Sequence, residues 1–185
     1  IASPASYGSR TQFDPGAFMV TQKSLDAHNK LYFLEFDHCT HTVPEMIDEP
    51  ISDDNGNLLM DKFRVPGMNN KCRNEEESLN LLYREFILSK ASGAALWWFD
   101  MFDGWFRSDA MMRAVSRMLD IDRQMDGYDK HSIAEIAVFA EGESMYRVRK
   151  SSPIATDCLL KILRTLAESG APYDLYTISD IRLPE

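Results

Sequence analysis

The chain has 185 residues, of which 44% are hydrophobic and 26% are charged, a composition typical of a soluble globular protein. Its formal net charge of −9 and the lack of any cluster of Lys and Arg argue against a nucleic-acid-binding surface. No apolar run in the sequence reaches the roughly 20 residues that a membrane-spanning helix needs.

The first forty residues predict a strand, a helix and a second strand. Residues 1–16 are rich in turn-forming residues and are predicted to be the end of a strand followed by a loop. Residues 17–28 are predicted to form a short helix. Residues 31–36 are almost all apolar or aromatic, as in a strand that is buried on both faces. This order is typical of a parallel sheet.

A connection of nearly forty residues follows Asp37 and ends near Asn74. A loop of this length inside a compact domain is either disordered or functional, and above the end of a parallel sheet it is a candidate lid. The Asp-Asp-Asn-Gly run at 53–56 resembles a calcium-binding loop only superficially, because the alternating ligands and the distant Glu are missing. A hairpin or turn is therefore predicted there.

The next elements are a helix, a strand and a second helix. A helix is predicted over residues 75–89, where apolar residues recur at the spacing of one helix face. A tryptophan-rich strand is predicted to begin at Gly93, and Ser108 is predicted to be the N-cap of a helix that ends near residue 121. The predicted buried faces of the two helices carry Leu79, Leu82, Tyr83 and Phe86, and Met111, Ala114, Val115 and Met118.

The polar residues 123–131 are predicted to link a first domain, residues 1–122, to a second, residues 132–185. The second domain is predicted to be a strand, a helix and a strand at 133–139, 156–169 and 173–178, with the helix stopped by Gly170. A single βαβ unit does not cover both faces of its own sheet. We therefore expect the second domain to continue beyond Glu185.

Glu35 is the candidate catalytic residue. It is a carboxylate near the C-terminal end of an apolar strand, and burying it there is costly unless another group pairs with it or the chemistry uses it. A retaining glycosidase needs two such carboxylates roughly 5–5.5 Å apart. The alternative for Glu35 is a salt bridge at the rim of the sheet. Asp37 faces the same way, either as an acceptor for a sugar hydroxyl or, in the interpretation we favour, as a loop cap.

The aromatic and acidic residues of the later strand are candidate sugar contacts. Trp97, Trp98 and Trp105 are suited to stacking on a sugar ring, although ordinary core packing is the alternative. Trp97 and Trp98 are adjacent and point to opposite faces of a strand, so at least one of them is structural. Asp100 and Asp103 are candidate partners of sugar hydroxyls or simple turn formers.

Metal, thiol and nucleotide chemistry are not expected. The spacing of His38, Cys39 and His41 matches no standard zinc site, and no second ligand pair follows. No glycine-rich phosphate motif is present, and the acidic residues at 141–144 would repel a phosphate. We therefore expect no cofactor and no metal. The three cysteines are odd in number and far apart, which indicates reduced thiols and a cytoplasmic location.

Several segments together resemble a known enzyme family. These are Ser-Pro-Ala-Ser-Tyr at 3–7 with Arg10, Leu-Glu-Phe-Asp at 34–37, and Ala-Leu-Trp-Trp-Phe-Asp-Met at 95–101 with Gly-Trp at 104–105. They resemble the last third of a clan A (β/α)8 glycoside hydrolase barrel, in particular the β-galactosidase-like enzymes of family 42 and their relatives. Residues 132–181, with Gly-Ala-Pro-Tyr-Asp-Leu-Tyr at 170–176, resemble the start of the flavodoxin-like trimerisation domain that follows this barrel.

The resemblance implies an α/β fold made of the C-terminal portion of a TIM barrel and the first βαβ unit of a flavodoxin-like domain. It implies that Glu35 is the nucleophile at the end of the seventh barrel strand, with Tyr7 beside it. Trp97, Trp98 and Asp100, together with Trp105, are expected to bind the sugar. The family's acid/base residue lies on the fourth strand, which corresponds to sequence upstream of Ile1. The loop at 100–104 departs from the family pattern and leaves galactose specificity open.

The expected function is that of a fragment of a retaining, β-galactosidase-like glycoside hydrolase. About 122 residues are too few to close a barrel of about 250, so we expect the fragment alone to be inactive. The expected partners are a carbohydrate substrate, the missing N-terminal part of the barrel and, by the resemblance, two further copies in a trimer. The alternative is a non-catalytic carbohydrate-binding or oligomerisation protein that retains a remnant of the barrel.

Overall fold

A computed structural model describes residues 1–43, 71–100, 104–149, 152–154, 157–158 and 161–182, and within 44–70 it describes Asn55 and the backbone of four short strands. The protein is a mixed α/β structure with small sheets. Its strands are β1 (Ala2–Pro4), β2 (Phe33–Phe36), β3 (Met46–Ile47), β4 (Ile51–Ser52), β5 (Leu58–Met60), β6 (Phe63–Arg64), β7 (Ala95–Trp98), β8 (Ile136–Ala140) and β9 (Tyr173–Thr177). Its α-helices are α1 (Gln22–Ala27), α2 (Glu75–Ala91), α3 (Asp109–Gln124) and α4 (Lys161–Ser169).

A three-stranded parallel sheet in the order β1-β2-β7 forms the first half of the structure. The strands lie side by side in their chain order, with α1 between the first two and α2 between the last two. The predicted strand–helix–strand arrangement is therefore confirmed. The register aligns Glu35 with Pro4 on one neighbour and with Trp97 on the other.

The two faces of this sheet have different surroundings. Leu34 and Phe36 are fully buried and pack in the core clusters that the helices line. Because side chains alternate along a strand, Phe33 and Glu35 point to the opposite face, together with Trp97. Phe33 is 38% exposed and Trp97 is 44% exposed. We call this second surface, which carries Phe33, Glu35 and Trp97, the open face.

The predicted buried face of α3 is confirmed, whereas that of α2 is rotated: Leu79 and Tyr83 are only partly buried, and Leu81 is buried in their place. Leu82 and Phe86 of α2 are buried, and Met111, Ala114 and Met118 of α3 pack against them. The predicted cap is also confirmed, because the Ser108 hydroxyl accepts a hydrogen bond from the Met111 amide at 3.3 Å. Each helix therefore buries one stripe against the sheet and the other helix.

Removal of the α3 cap is expected to cost about 1 kcal/mol of unfolding free energy, because Ser108→Ala leaves an amide of the first turn without its acceptor. Ser108→Asn supplies another side-chain acceptor and is the matched control, expected to lie close to wild type. Urea unfolding of the three proteins measures the difference. Equal losses for both variants would show that the cap contributes nothing.

The long connection forms antiparallel pairs. β3 pairs with β6, and β4 pairs with β5 inside them. The hairpin or turn was predicted around 53–56, where only Asn55 lies within the described residues, and the strands on either side of it pair antiparallel. The predicted lid is the whole connection from Asp37 to about Asn74, and it stays a prediction, because most of residues 44–70 within it lie outside the described residues.

The second half contains a parallel pair, β8 and β9, with α4 between them in sequence. Gly170 follows α4 with a φ of 75°, which fits its predicted role in ending that helix. This unit contacts the first half at α1, where the Ser24 hydroxyl accepts from the Thr177 amide at 2.7 Å. The buried Asp180 also pairs with His28 at 2.9 Å. No helix in the described part of the chain has the length and hydrophobicity to cross a membrane.

Candidate functional site

The carboxyl ends of β1 and β2 form the candidate site. β1 ends at Pro4, and a 3-10 turn from Tyr7 to Ser9 follows it. β2 ends at Phe36 and leads directly into Asp37. Because the two strands are parallel and paired, their carboxyl ends meet at the same edge of the sheet. We call residues 5–14, which leave β1 at this edge, the Tyr7 loop.

Glu35 lies on the open face, one position before the end of β2. Glu35 as a whole is partly buried. No ion pair to Glu35 is present among the residues that the structure describes, so the described residues do not provide the rim salt bridge considered above. Trp97 is its register partner on β7, and its half-exposed indole shares the open face with Glu35.

Asp37 is the centre of a buried polar network. Arg10 donates to Asp37 Oδ1 at 2.5 Å and to the Asp37 carbonyl at 3.3 Å. The Tyr7 hydroxyl donates to the other carboxylate oxygen, Oδ2, at 3.2 Å. The Arg10 guanidinium also lies over the Tyr7 ring, 3.8 Å from its centroid. Asp37 is therefore the acceptor of an ion pair and not the loop cap that the sequence favoured.

This network alters the protonation of its neighbours. Burial and, next, the negative charge of Asp37 raise the pKa of Glu35, while the charge of Arg10 opposes the rise. Burial and the same Asp37 charge raise the pKa of the Tyr7 phenol. Glu35 therefore holds its proton to a higher pH than an exposed glutamate, and Tyr7 remains a hydrogen-bond donor at neutral pH.

The raised pKa of Glu35 makes the stability of the fold depend on pH. A carboxyl with a higher pKa in the folded state binds more protons there than in the unfolded state. Its contribution to the free energy of unfolding is therefore present below the ordinary pKa of 4.5 and is lost as the pH rises through the folded-state pKa. Glu35→Gln is expected to match wild type near pH 4 and to be more stable than wild type at pH 7.

The measurement is thermal unfolding of wild type and Glu35→Gln across pH 4–7. Glu135→Gln removes an exposed carboxylate from the second half and serves as the matched control. A stability difference between wild type and Glu35→Gln that does not change with pH would contradict the prediction.

The other predicted site residues lie in different places. Trp98 is on the helix side of the sheet, where it packs against Phe36 with ring centroids 5.4 Å apart. Trp105 is 1% exposed and packs in a cluster with Cys39 and Val43. Asp100 accepts a hydrogen bond from the Trp105 amide at 3.1 Å, in a loop after β7. Asp103 lies outside the described residues.

The structure thus brings together Tyr7, Glu35 and Asp37 at one edge, and Trp97 joins Glu35 on the open face. It separates Trp98 from that face. Contact of Trp98, Trp105 and Asp100 with a sugar stays a prediction, which these positions do not test.

A second buried polar cluster was missed from the sequence. His38 and Glu85 are 2% and 0% exposed in their side chains, and His38 Nε2 lies 3.2 Å from Glu85 Oε1. Arg84 donates to the same carboxylate oxygen at 2.6 Å. The available signal was the Arg-Glu pair at 84–85, which interrupts an otherwise apolar stretch of α2.

The described residues include no candidate metal cluster, and the two buried cysteines are protonated. No group of three or more His, Cys, Asp and Glu side chains among them is arranged to hold a metal ion. Burial raises the pKa of Cys39 and raises that of Cys72 to about 11. Both groups are therefore protonated thiols at neutral pH and are poor nucleophiles. The chemistry available at this edge of the sheet is that of carboxylates, a phenol and a guanidinium.

Comparison of the chain with protein-family models, with curated protein sequences and with solved structures finds no match.

Proposed function

We propose that the chain carries the nucleophile of a retaining β-glycosidase, with Glu35 attacking the anomeric carbon of a β-glycoside. One observation carries the proposal. Glu35 stands near the carboxyl end of a parallel strand, on the open face, beside the half-exposed Trp97. A carboxylate is the nucleophile that a retaining glycosidase uses, and an aromatic surface beside it is suited to stacking on the sugar ring.

The arrangement of the sheet supports the proposed barrel. In doubly wound α/β sheets the strand order reverses and helices cover both faces. In a (β/α)8 barrel consecutive strands are neighbours and all helices pack outside. The order β1-β2-β7, with the helix clusters on one face, agrees with the second pattern. We propose that residues 1–122 are the C-terminal portion of such a barrel and that 132–185 begin a flavodoxin-like domain.

The proposed reaction is a double displacement. A Glu35 oxygen forms a bond to the anomeric carbon as the bond to the leaving-group oxygen breaks, and a water molecule later replaces Glu35. The leaving group and then the water exchange a proton with an acid/base carboxylate. Asp37 is unsuited to that role because Arg10 and Tyr7 occupy both of its oxygens. We therefore assign the acid/base to a residue outside the described part of the chain.

Tyr7 and the tryptophans have supporting roles in this proposal. The Tyr7 hydroxyl donates to Asp37, two residues after Glu35 on the same strand end, so Tyr7 would help to form the wall of the site beside the nucleophile. Trp97 would stack on the sugar ring, and Asp100, in the loop after β7, would bind a sugar hydroxyl. Trp98 and Trp105 would support these residues from the core clusters in which they pack.

The decisive test is covalent trapping in a polypeptide that also supplies the remainder of the proposed barrel. A 2-deoxy-2-fluoro-β-galactoside with a dinitrophenolate leaving group needs no proton from an acid, so trapping reports on the nucleophile and not on the acid/base residue. We expect the mass of one fluorinated sugar to appear on the peptide that contains Glu35. The Glu35→Gln protein should remain unlabelled.

Labelling at another carboxylate, or equal labelling of Glu35→Gln, would refute the assignment. Absence of labelling together with saturable quenching of tryptophan fluorescence by galactose would favour the non-catalytic carbohydrate-binding alternative. The half-exposed indole of Trp97 is the observation that supports this alternative.

We also propose that the protein self-associates through its second half. Ile136 and Phe139 of β8 are 36% and 37% exposed, and Phe139 stacks on Tyr176 of β9. Sedimentation of the chain tests this proposal, with a trimer as the expected species and a monomer at all concentrations as the contrary result.

A further inference from the structure

Arg84 joins helix α2 to the Tyr7 loop. Its Nη1 donates to the carbonyls of Thr11 and Asp14 at 2.8 and 3.0 Å, and its Nη2 donates to the carbonyl of Ser9 at 2.9 Å. The side chain is 15% exposed. One guanidinium thus satisfies three backbone acceptors of a segment that contains no strand and no α-helix.

The same guanidinium is tied to the end of β2. It donates through Nε and Nη2 to Glu85 Oε1, at 3.1 and 2.6 Å. That oxygen is also 3.2 Å from Nε2 of His38, which directly follows Asp37 and stacks on Phe36 with ring centroids 4.6 Å apart. Arg84 therefore links the two chain segments that carry Tyr7 and Asp37.

The Tyr7 loop packs closely against Arg84. Gly16, just beyond the loop, has a φ of 77°, and a Cβ atom added there would lie 3.3 Å from Arg84 Nε. Arg10 lies between the anchored carbonyls of the loop and donates to Asp37 and to the Ala5 carbonyl. The position of Arg10 and Tyr7 at Asp37 thus depends on where the loop is held.

We infer that Arg84 is a positioning residue, which holds the Tyr7 loop so that Tyr7 and Arg10 meet Asp37 beside Glu35. Its effect on catalysis rests on the proposed function, whereas its effect on the loop does not. Arg84 acts through backbone carbonyls and through Glu85, and none of its described contacts is with Glu35.

Anchoring the Tyr7 loop requires the planar guanidinium of Arg84 with its several N–H donors, and not only its positive charge. A lysine at position 84 would still compensate the charge of the buried Glu85, but a single ammonium on a flexible stem does not reproduce the planar set of donors that reaches three carbonyls. Arg84→Lys therefore separates the anchoring of the loop from the neutralisation of Glu85.

The test compares wild type, Arg84→Lys and the matched control Arg73→Lys, which alters an exposed arginine just before the same helix. The titration of Tyr7 is followed by NMR with ring-labelled tyrosine and assigned with Tyr7→Phe. In Arg84→Lys we expect the Tyr7 titration to move down toward that of a free tyrosine, because the phenol loses its hydrogen bond to Asp37 and the nearby Asp37 charge. In Arg73→Lys we expect no change.

Trapping of the fluorinated sugar gives the catalytic readout. Its rate is expected to fall about 100-fold in Arg84→Lys, the size of effect that misplacement by about 1 Å produces. An unchanged Tyr7 titration in a folded Arg84→Lys protein would overturn the inference. If Arg84→Lys does not fold, Glu85→Gln is the second variant, because it keeps the shape of the Glu85 side chain but weakens its interaction with Arg84. Glu85→Gln should move the Tyr7 titration in the same direction. An unchanged Tyr7 titration in Glu85→Gln would overturn the inference.

The two proposals fail in different ways. A shifted Tyr7 titration together with a wild-type protein that is never labelled would refute the glycosidase and leave the positioning of Tyr7 by Arg84 standing. Labelling of wild type and of Arg84→Lys at equal rates would retain the nucleophile and remove the role of Arg84 in the reaction.

Discussion

Replacement of Glu35 by glutamine is expected to lower the hydrolysis of aryl-β-glycosides by about 10⁴-fold or more, in a polypeptide that also supplies the acid/base carboxylate. An amide does not form the glycosyl-enzyme ester, so the first displacement loses its nucleophile, and the loss of a nucleophile is among the largest effects of a single substitution. Steady-state rates with nitrophenyl and dinitrophenyl glycosides measure it. Glu135→Gln, on the exposed surface of the second half, should retain the wild-type rate.

Chemical rescue separates the role of nucleophile from that of acid/base. Glu35→Gly leaves space on the open face for azide, which would attack the anomeric carbon from the side that Glu35 now occupies. The product expected from a β-glycoside is then the α-glycosyl azide. A β-glycosyl azide would instead assign Glu35 to the acid/base role, and the proposed mechanism would be wrong on this point.

The helices could be predicted from the sequence because their signals are local. The apolar stripes of α2 and α3 recur at helical spacing, and Ser108 lies where a cap is needed. The first helix was predicted over 17–28 but spans only Gln22–Ala27. Phe18 and Val20 lie before the helix and pack against a core cluster, and Phe18 forms an antiparallel β-bridge with Ala5. Tertiary packing of residues 17–21 therefore outweighs the helical preference that their sequence predicts.

The site could be predicted only in part, because its pairings join distant residues. The apolar strand singled out Glu35, and alternation along β7 required Trp97 and Trp98 to face opposite ways. Only the register with β2 shows that Trp97 is the one beside Glu35. The contacts of Asp37 with Arg10, 27 positions away, leave no periodic signal in the sequence. The hydrogen bonds from Arg84 to backbone carbonyls could not be predicted either, because every residue has a backbone carbonyl and the sequence does not show which of them is an acceptor.

The Arg10–Asp37 pair should dominate the stability of this edge of the sheet. Its side chains are 6% and 5% exposed, and the two charges meet at 2.5 Å. Arg10→Met keeps the bulk of the side chain but leaves the Asp37 carboxylate buried without its cation. Breaking a buried pair in this way is expected to cost about 3–5 kcal/mol of unfolding free energy. Denaturant unfolding at pH 7 measures the loss.

Two further variants show whether the loss of stability in Arg10→Met comes from the buried, uncompensated charge of Asp37. Arg10→Met combined with Asp37→Leu removes both charges, and it should be more stable than Arg10→Met alone because no buried ion remains. Arg123→Met breaks the pair of Arg123 with Asp120, which has the same chemistry at 74% and 62% exposure, and should cost less than about 1 kcal/mol. If Arg10→Met costs no more than Arg123→Met, the network at Asp37 does not hold the Tyr7 loop. The placement of Tyr7 beside Glu35 would then depend on the Arg84 contacts alone.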